Sequence, residues 1–338
     1  MRILVTLKPE RYEQPRHSCG VLAEIDWARK EVIRELRIPT ASFRSDSAFM
    51  APLINGVTHI GNRVFVAMWN FIAEIDYEKF AVVDAFSHPN MADLHGMSTD
   101  GKRLFVASTS LDAVLCFDAE SFELIWRWGP DVPLLAGHKP ASQRAFYESI
   151  PLFGDRLAER PLTFVEGEHR ALHKSRSGFR RHHLNDVVWN PADGQLYVTT
   201  SHWFEELGGA VIRLNPETLE AEFVAPPDSF LGTHDVQFVD DRIVVTESRG
   251  DSAGWVTGAG EVVHQPLGQM PAFVRGLHWT GESFLTGFTR LRESSDPSWI
   301  VEFDRDFERE ISRMDISGFF PTEQGCAIHA IAPAPKSA

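Results

Sequence analysis

Cysteine is scarce. Cys19, Cys116 and Cys326 are the only three in 338 residues, too few for the disulfide framework of a small secreted domain. No apolar run approaches the roughly 20 residues of a membrane span, and the N-terminal MRILVTLKPERY has too short an apolar stretch for a signal peptide. Both absences lead us to expect a cytoplasmic protein with no membrane partner. Basic residues are in deficit: 33 Lys and Arg against 47 Asp and Glu leave a net charge of −14, which disfavours a nucleic acid partner. No glycine-rich loop opens a βαβ unit and no His-Glu-x-x-His occurs, so dinucleotide and zincin chemistry lack their motifs.

What the chain has is a repeat. VFVAMWNFIAEIDYEKFAVVDAF (64–86) and LFVASTSLDAVLCFDAESFELIWRW (104–128) share a β-rich run, a polar break, a second run ending near an aspartate, a turn and a third run. The pattern returns over 196–224 and 284–311, and more weakly over 242–265. A further apolar strand precedes each copy: INGVTHI (54–60), LHGMSTD (94–100), NDVVWNP (185–191), HDVQFVD (234–240) and RGLHWTG (275–281). The first 37 residues supply three strands without that inner one, and CAIHAIAP (326–333) supplies an inner strand with nothing after it. Joining the two ends gives a sixth unit and closes a ring, which leaves only short protected strand edges. The expected fold is a single all-β domain over 1–338, a six-bladed β-propeller of four-stranded blades. Its 24 Phe and 9 Trp suffice to fill the cores between sheets.

Residues 129–182 interrupt the repeat between the third and fourth blades, with Pro130, Pro133, Pro140, Pro151 and Pro161 arguing against continuous regular structure. The segment ends in HRALHKSRSGFRRHH, rich in Arg, Lys and His and free of acid. Long loops in compact domains are often functional, so the insertion is expected to cap the axial face. Arg176, Arg180 and Arg181 would then favour a carboxylate- or phosphate-bearing substrate. A solvated charged face is the plainer reading of the same run.

Aligned on the position two before the first apolar residue, the inner strands present His329, Asn55, His95, Asn185, His234 and Arg275 in blade order. Histidine thus falls on alternate blades. Pseudo-six-fold symmetry turns that alternation into an approximate three-fold set, the arrangement a catalytic Zn²⁺ accepts; Fe²⁺ and Mn²⁺ are also compatible. His95, His234 and His329 are therefore the expected ligands of one divalent transition metal ion. Asn55 and Asn185 would orient a substrate oxygen, and Arg275 would hold an anionic group. Metal-bound hydroxide, His183 or Tyr147 would serve as general base. Asp186 and Asp235 follow ring positions and would pair with neighbouring imidazoles or with backbone. The competing reading ties the ring histidines to strand backbone by hydrogen bonds and makes the protein a non-catalytic binding propeller.

This alternation resembles the NHL-like six-bladed propellers, specifically the peptidyl-hydroxyglycine amidating lyase domain. The resemblance implies an axial zinc held by His95, His234 and His329, and a substrate-binding role for Arg275. That family is secretory and disulfide-bearing and uses a tyrosine; here no tyrosine falls on the ring. At the level of the repeat the chain is also similar to YVTN-type and gluconolactonase-like propellers. The expected activity is that of a metal-dependent lyase or hydrolase acting on a small, anionic, polar metabolite. An iron-dependent oxidative reaction is the alternative within the enzymes.

Overall fold

The computed structural model describes residues 1–9, 19–39, 54–88, 90–129, 182–203, 207–268, 272–290, 297–321 and 325–336. Among them the chain is all-β and builds six antiparallel four-stranded sheets. The first blade begins with β1 (Arg2–Lys8), β2 (Cys19–Asp26) and β3 (Glu31–Pro39). The second is β4 (Ile54–Ile60), β5 (Arg63–Met68), β6 (Ile72–Asp76) and β7 (Ala81–Phe86). The third is β8 (Leu94–Thr99), β9 (Arg103–Ser108), β10 (Ala113–Asp118) and β11 (Leu124–Trp128). The fourth is β12 (Leu184–Asn190), β13 (Gln195–Trp203), β14 (Leu207–Leu214) and β15 (Ala221–Phe230). The fifth is β16 (Thr233–Val239), β17 (Arg242–Glu247), β18 (Ser252–Val256) and β19 (Val262–Pro266). The sixth is β20 (Ala272–Trp279), β21 (Phe284–Arg290), β22 (Trp299–Phe303) and β23 (Glu310–Asp315). The last strand, β24 (Ala327–Pro333), returns to the first blade and pairs antiparallel with β1, setting Leu4 opposite Ala332 and Val5 opposite Ile331. Each of β4, β8, β12, β16, β20 and β24 packs against the next, so these six are the inner strands of a closed propeller.

The repeat is legible because its turns are built alike. Between the two outer strands of a blade an Asp or Asn side chain accepts backbone N–H groups. Asp118 Oδ1 takes those of Glu120 and Ser121 at 3.0 and 2.8 Å. Asn215 Oδ1 takes those of Glu217 and Thr218 at 2.9 and 3.0 Å. A bulky residue then adopts the left-handed conformation: Phe80, Phe122, Leu219 and Phe307 have φ between +50° and +59°. That backbone is costly for a side chain with a Cβ. Burial offsets the cost at Phe80 and Phe307, and at Phe122 the ring stacks on Phe86 with centroids 4.1 Å apart.

Apolar faces fill the gaps between blades. Phe105, Cys116 and Trp128 of the third blade pack with Leu184, Val198 and Trp203 of the fourth. Ile3, Val5, Val21 and Ile328 of the first pack with Leu285 and Ile300 of the sixth. Each such side chain contributes about 1.5–3 kcal/mol on full burial. Polar clasps recur beside the cores. Tyr77 donates its hydroxyl to the fully buried Glu24 of the preceding blade at 2.8 Å, and Trp27 Nε1 donates to Glu302 at 2.8 Å across the closure. The seam between the last and first blades therefore carries the same bond as an ordinary blade junction.

The inner strands approach one another to backbone contact. A Cβ added at Gly56 would lie 2.6 Å from the His95 carbonyl oxygen and 2.7 Å from the Met97 nitrogen. We predict that Gly56→Ala destabilises the fold by about 1–3 kcal/mol, the usual scale of overpacking. Gly318→Ala, where an added Cβ meets nothing within 4 Å, should be close to neutral. Urea denaturation of the two variants beside the parent checks both.

Candidate functional site

Every inner strand is irregular at the same place. Two residues face one on the partner strand between Leu184 and Asp186, between His234 and Val236, and between Arg275 and Leu277. Wider shifts fall between Ile54 and Val57 and between Leu94 and Met97. In β24 the residue passed over is His329, since Thr6 pairs with Ala330 and Leu7 with Ile328. Such bulges re-aim side chains. In five of the six strands they turn the expected ring residue, and the residue after it, toward the axis. Asp235 at φ +48° and Gly276 at φ +78° are the most distorted of these positions.

The result is an axial cavity of about 360 Å³ whose wall includes Asn55, His95, Asn185, His234 and His329. Five of the six expected ring residues thus share one space. Arg275 is not in the wall, but its charge acts on both His329 and Asp235, and its guanidinium lies 5.8 Å from the Phe273 ring centroid. Among the described residues no three His, Cys, Asp or Glu side chains are placed closely enough together to hold a metal ion.

The hydrogen bonds define what each imidazole offers. His95 Nδ1–H donates to the Asp93 carbonyl at 3.0 Å, which leaves Nε2 as its basic nitrogen. His234 Nε2 lies 3.1 Å from Asn185 Nδ2, which also donates to the Thr233 carbonyl at 2.6 Å. His234 Nε2 is therefore an acceptor. His329 is held neutral: burial, then the charges of Lys8 and Arg275 and the neighbouring His95 and His234, press its pKa well below the ordinary 6.5. Its buried Nε2 has no hydrogen-bond partner among the described residues, and neither do the amide oxygens of Asn55 and Asn185.

His183 belongs to this neighbourhood without entering the cavity wall. Its ring lies 5.3 Å from His95 and 5.6 Å from His202, centroid to centroid. It is left-handed at φ +52°, a geometry fixed by Asp112. The Asp112 carboxylate accepts the His182 and His183 backbone N–H groups at 2.9 and 2.7 Å. A Cβ on Gly129 would sit 3.3 Å from the Asp112 carbonyl, so both ends of the insertion meet at one residue beside the ring. Tyr147, Arg176, Arg180 and Arg181 lie outside the described residues. Cys326 is buried, and its carbonyl accepts the Ser298 hydroxyl at 2.6 Å.

Sequence reasoning missed Lys8, which carries no repeat signature because β1 has no ring position of its own. It treated Asp186 and Asp235 only as supports, whereas both line the cavity. It also passed over Gly250-Asp251-Ser252-Ala253-Gly254, which spells Gly-x-Ser-x-Gly. That segment runs into strand β18 rather than a helix. Its Ser252 hydroxyl donates to the buried Glu247 at 2.8 Å, and His264 Nδ1 lies 3.0 Å from the same carboxylate oxygen. The geometry is a strand-edge clasp and not a nucleophile elbow.

No family model matches the chain and no curated protein matches it, so there is no family-level match to the amidating lyase domain. Solved structures do match. A nidogen/laminin complex aligns at TM-score 0.61 and 10% identity over 98% of this chain and 97% of the other. Virginiamycin B lyase from Staphylococcus aureus aligns at TM-score 0.52 and 10% identity over 99% and 100%. A putative 6-phosphogluconolactonase from Bacteroides fragilis aligns at TM-score 0.51 and 14% identity over 93% and 82%. At these identities the likeness shows the propeller fold. No helix among the described residues is long and apolar enough to cross a membrane.

His278 also lines the cavity, and burial lowers its pKa to about 4. The unfolded chain therefore takes up this proton first as pH falls. The His278 contribution to stability is complete above pH 6.5 and is lost between pH 6.5 and about 4. We predict that the stability advantage of the parent over His278→Gln shrinks across that window, measured by denaturation at several pH values. In ¹⁵N-detected imidazole spectra His278 should stay neutral at pH 5.

Proposed function

We propose that the axial cavity is the active site of a metal-dependent lyase or hydrolase acting on a small, polar, anionic metabolite. The observation that carries this reading is the set of basic nitrogens facing one cavity from alternate blades. His95 and His234 offer Nε2 as acceptor, and His329 is neutral with an unmatched Nε2. In type these residues suit a borderline divalent ion, Zn²⁺ before Fe²⁺ or Mn²⁺, and to hold it the three imidazoles would have to draw closer together than they stand in this structure. His234 would exchange its contact with the Asn185 amide for the ion. When bound, the ion would polarise a carbonyl or hydroxyl and acidify a water.

The protein's own groups do the remaining work. Lys8 and Arg275 bias the His329 side of the ring toward anions. The amide oxygens of Asn55 and Asn185 would orient a donor group on the substrate. His183, packed on His95, would move a proton to or from a bound substrate. Arg176, Arg180, Arg181 and Tyr147 keep their proposed roles in an insertion rooted beside the ring.

A second reading, a binding propeller with structural ring residues, is favoured by one observation. The Asn55 and Asn185 amide nitrogens are both spent on the next blade's carbonyls, those of Leu94 and Thr233.

Elemental analysis of untagged protein separates the two. We predict close to one transition metal ion per chain, lost in each of His95→Ala, His234→Ala and His329→Ala with the propeller intact by circular dichroism. Its identity will tell hydrolytic or lyase chemistry from oxidative chemistry. Arg275→Ala should keep the metal and weaken binding of a carboxylate probe by about ten-fold, the scale of one charged contact. Equal metal content in the parent and all three histidine variants would remove the metal site.

A further inference from the structure

The inner strands build a deeper ring below the first. Three residues past each ring position stand Ala332, Thr58, Ser98, Val188, Gln237 and His278 in blade order, and all six line the same cavity. From His234 to Gln237 and from Arg275 to His278 the step covers two pairs of the ladder, because the bulge absorbs the third residue. At about 3.3 Å per residue the deeper ring lies about 7 Å further along the axis.

Two of its members are braced in a way that fixes what they offer. Ser98 Oγ accepts the Trp189 N–H of the next blade at 3.0 Å, which leaves the hydroxyl hydrogen to donate. Gln237 Oε1 accepts the Trp279 N–H of the next blade at 3.3 Å. A backbone N–H can only donate, so the amide oxygen is set against it and Nε2 keeps both hydrogens. Neither side chain has a further partner among the described residues. Thr58 adds a hydroxyl that can turn either way.

Positive charge is missing at this level. Among the described residues no Lys or Arg lines the cavity, and burial lowers the pKa of His278 to about 4 and lowers that of His59. The first ring offers acceptors, the Asn55 and Asn185 oxygens and the imidazole nitrogens. The deeper ring offers donors carried by uncharged groups. A ligand that reaches them with an apolar end leaves those donors unpaired, at a cost in affinity.

We propose that the deeper ring is a second subsite of the axial cavity, in which Ser98 and Gln237 donate hydrogen bonds to an uncharged carbonyl oxygen at the end of the ligand remote from the ring histidines. A volume of about 360 Å³ accommodates both ends of a small molecule. The inference deepens the reading of this cavity as a substrate site and rests on it.

The test compares δ-oxohexanoate, hexanoate and methyl propyl ketone by ligand-observed NMR titration of the full chain. The first carries carbonyl and carboxylate, and each of the others lacks one of them. δ-Oxohexanoate should bind about ten-fold more tightly than hexanoate, the scale of two uncharged hydrogen bonds. Gln237→Glu keeps an oxygen against the Trp279 N–H, replaces the donor with an acceptor, and should bring that ratio to about one. Ser98→Ala, on a different blade, gives the same comparison should Gln237→Glu fail to fold. Equal affinity for the keto acid and the plain acid in the parent overturns the carbonyl seat while leaving the anionic reading of the cavity standing. A ratio untouched by both variants overturns it as well, since the carbonyl then sits elsewhere. Methyl propyl ketone bound and lost in Gln237→Glu, with neither acid bound, upholds the seat and removes the anionic reading. Binding of none of the three overturns both.

Discussion

The closeness of the inner strands governs this molecule. Six strands converge until backbone meets backbone, as at Gly56 against His95 and Gly96 against Asp186. Side chains pointing to the axis then have little room. The bulges resolve the crowding by setting one extra residue per strand out of the ladder. Those extra residues bring polar side chains to the axis without breaking the sheets, so a single geometric constraint accounts for the fold and for the composition of the cavity.

The polar residues of the ring do two jobs at once. Asn55 and Asn185 use their amide nitrogens to hold the next blade and are left with an oxygen facing the cavity. Asp235 spans to the Gly276 N–H of the sixth blade and still lines the wall. A structural bond and a ligand-facing atom on the same side chain are compatible, because amide and carboxylate groups have more hydrogen-bonding positions than one blade junction uses. The binding-propeller reading and the catalytic one therefore share most of their geometry and separate on whether metal is retained.

The architecture was legible in the sequence for identifiable reasons. Asp-Tyr-Glu-Lys-Phe, Asp-Ala-Glu-Ser-Phe and Asn-Pro-Glu-Thr-Leu recur because each turn needs an oxygen to accept backbone N–H groups and a bulky apolar residue, packed on its blade, to hold a left-handed position. The composite blade was visible as three strands at one end of the chain and a lone strand at the other. The ring was found by counting back from the first apolar residue, which works because every irregularity falls on the ring residue or the one after it. The same bulge hid the second layer. Strict alternation would turn Asp186 and Asp235 away from an axis that Asn185 and His234 face, and the extra residue brings both of each pair to the wall. Lys8 was hidden differently, since its effect on His329 arises across the joined ends of the chain.

That junction also sets the order in which the molecule is made. The hydrogen bond from the Ala330 N–H to the Thr6 hydroxyl, 2.9 Å long, joins residues 324 positions apart. β1 leaves the ribosome well before β24 and waits for that partner until the strands of the other five blades have followed. Contacts of such separation form slowly, and during the wait the inner edge of β1 is an open template for any strand that meets it. A nascent or heated chain is thereby exposed to capture by the last strand of another copy, an exchange that would close two rings with each other's ends.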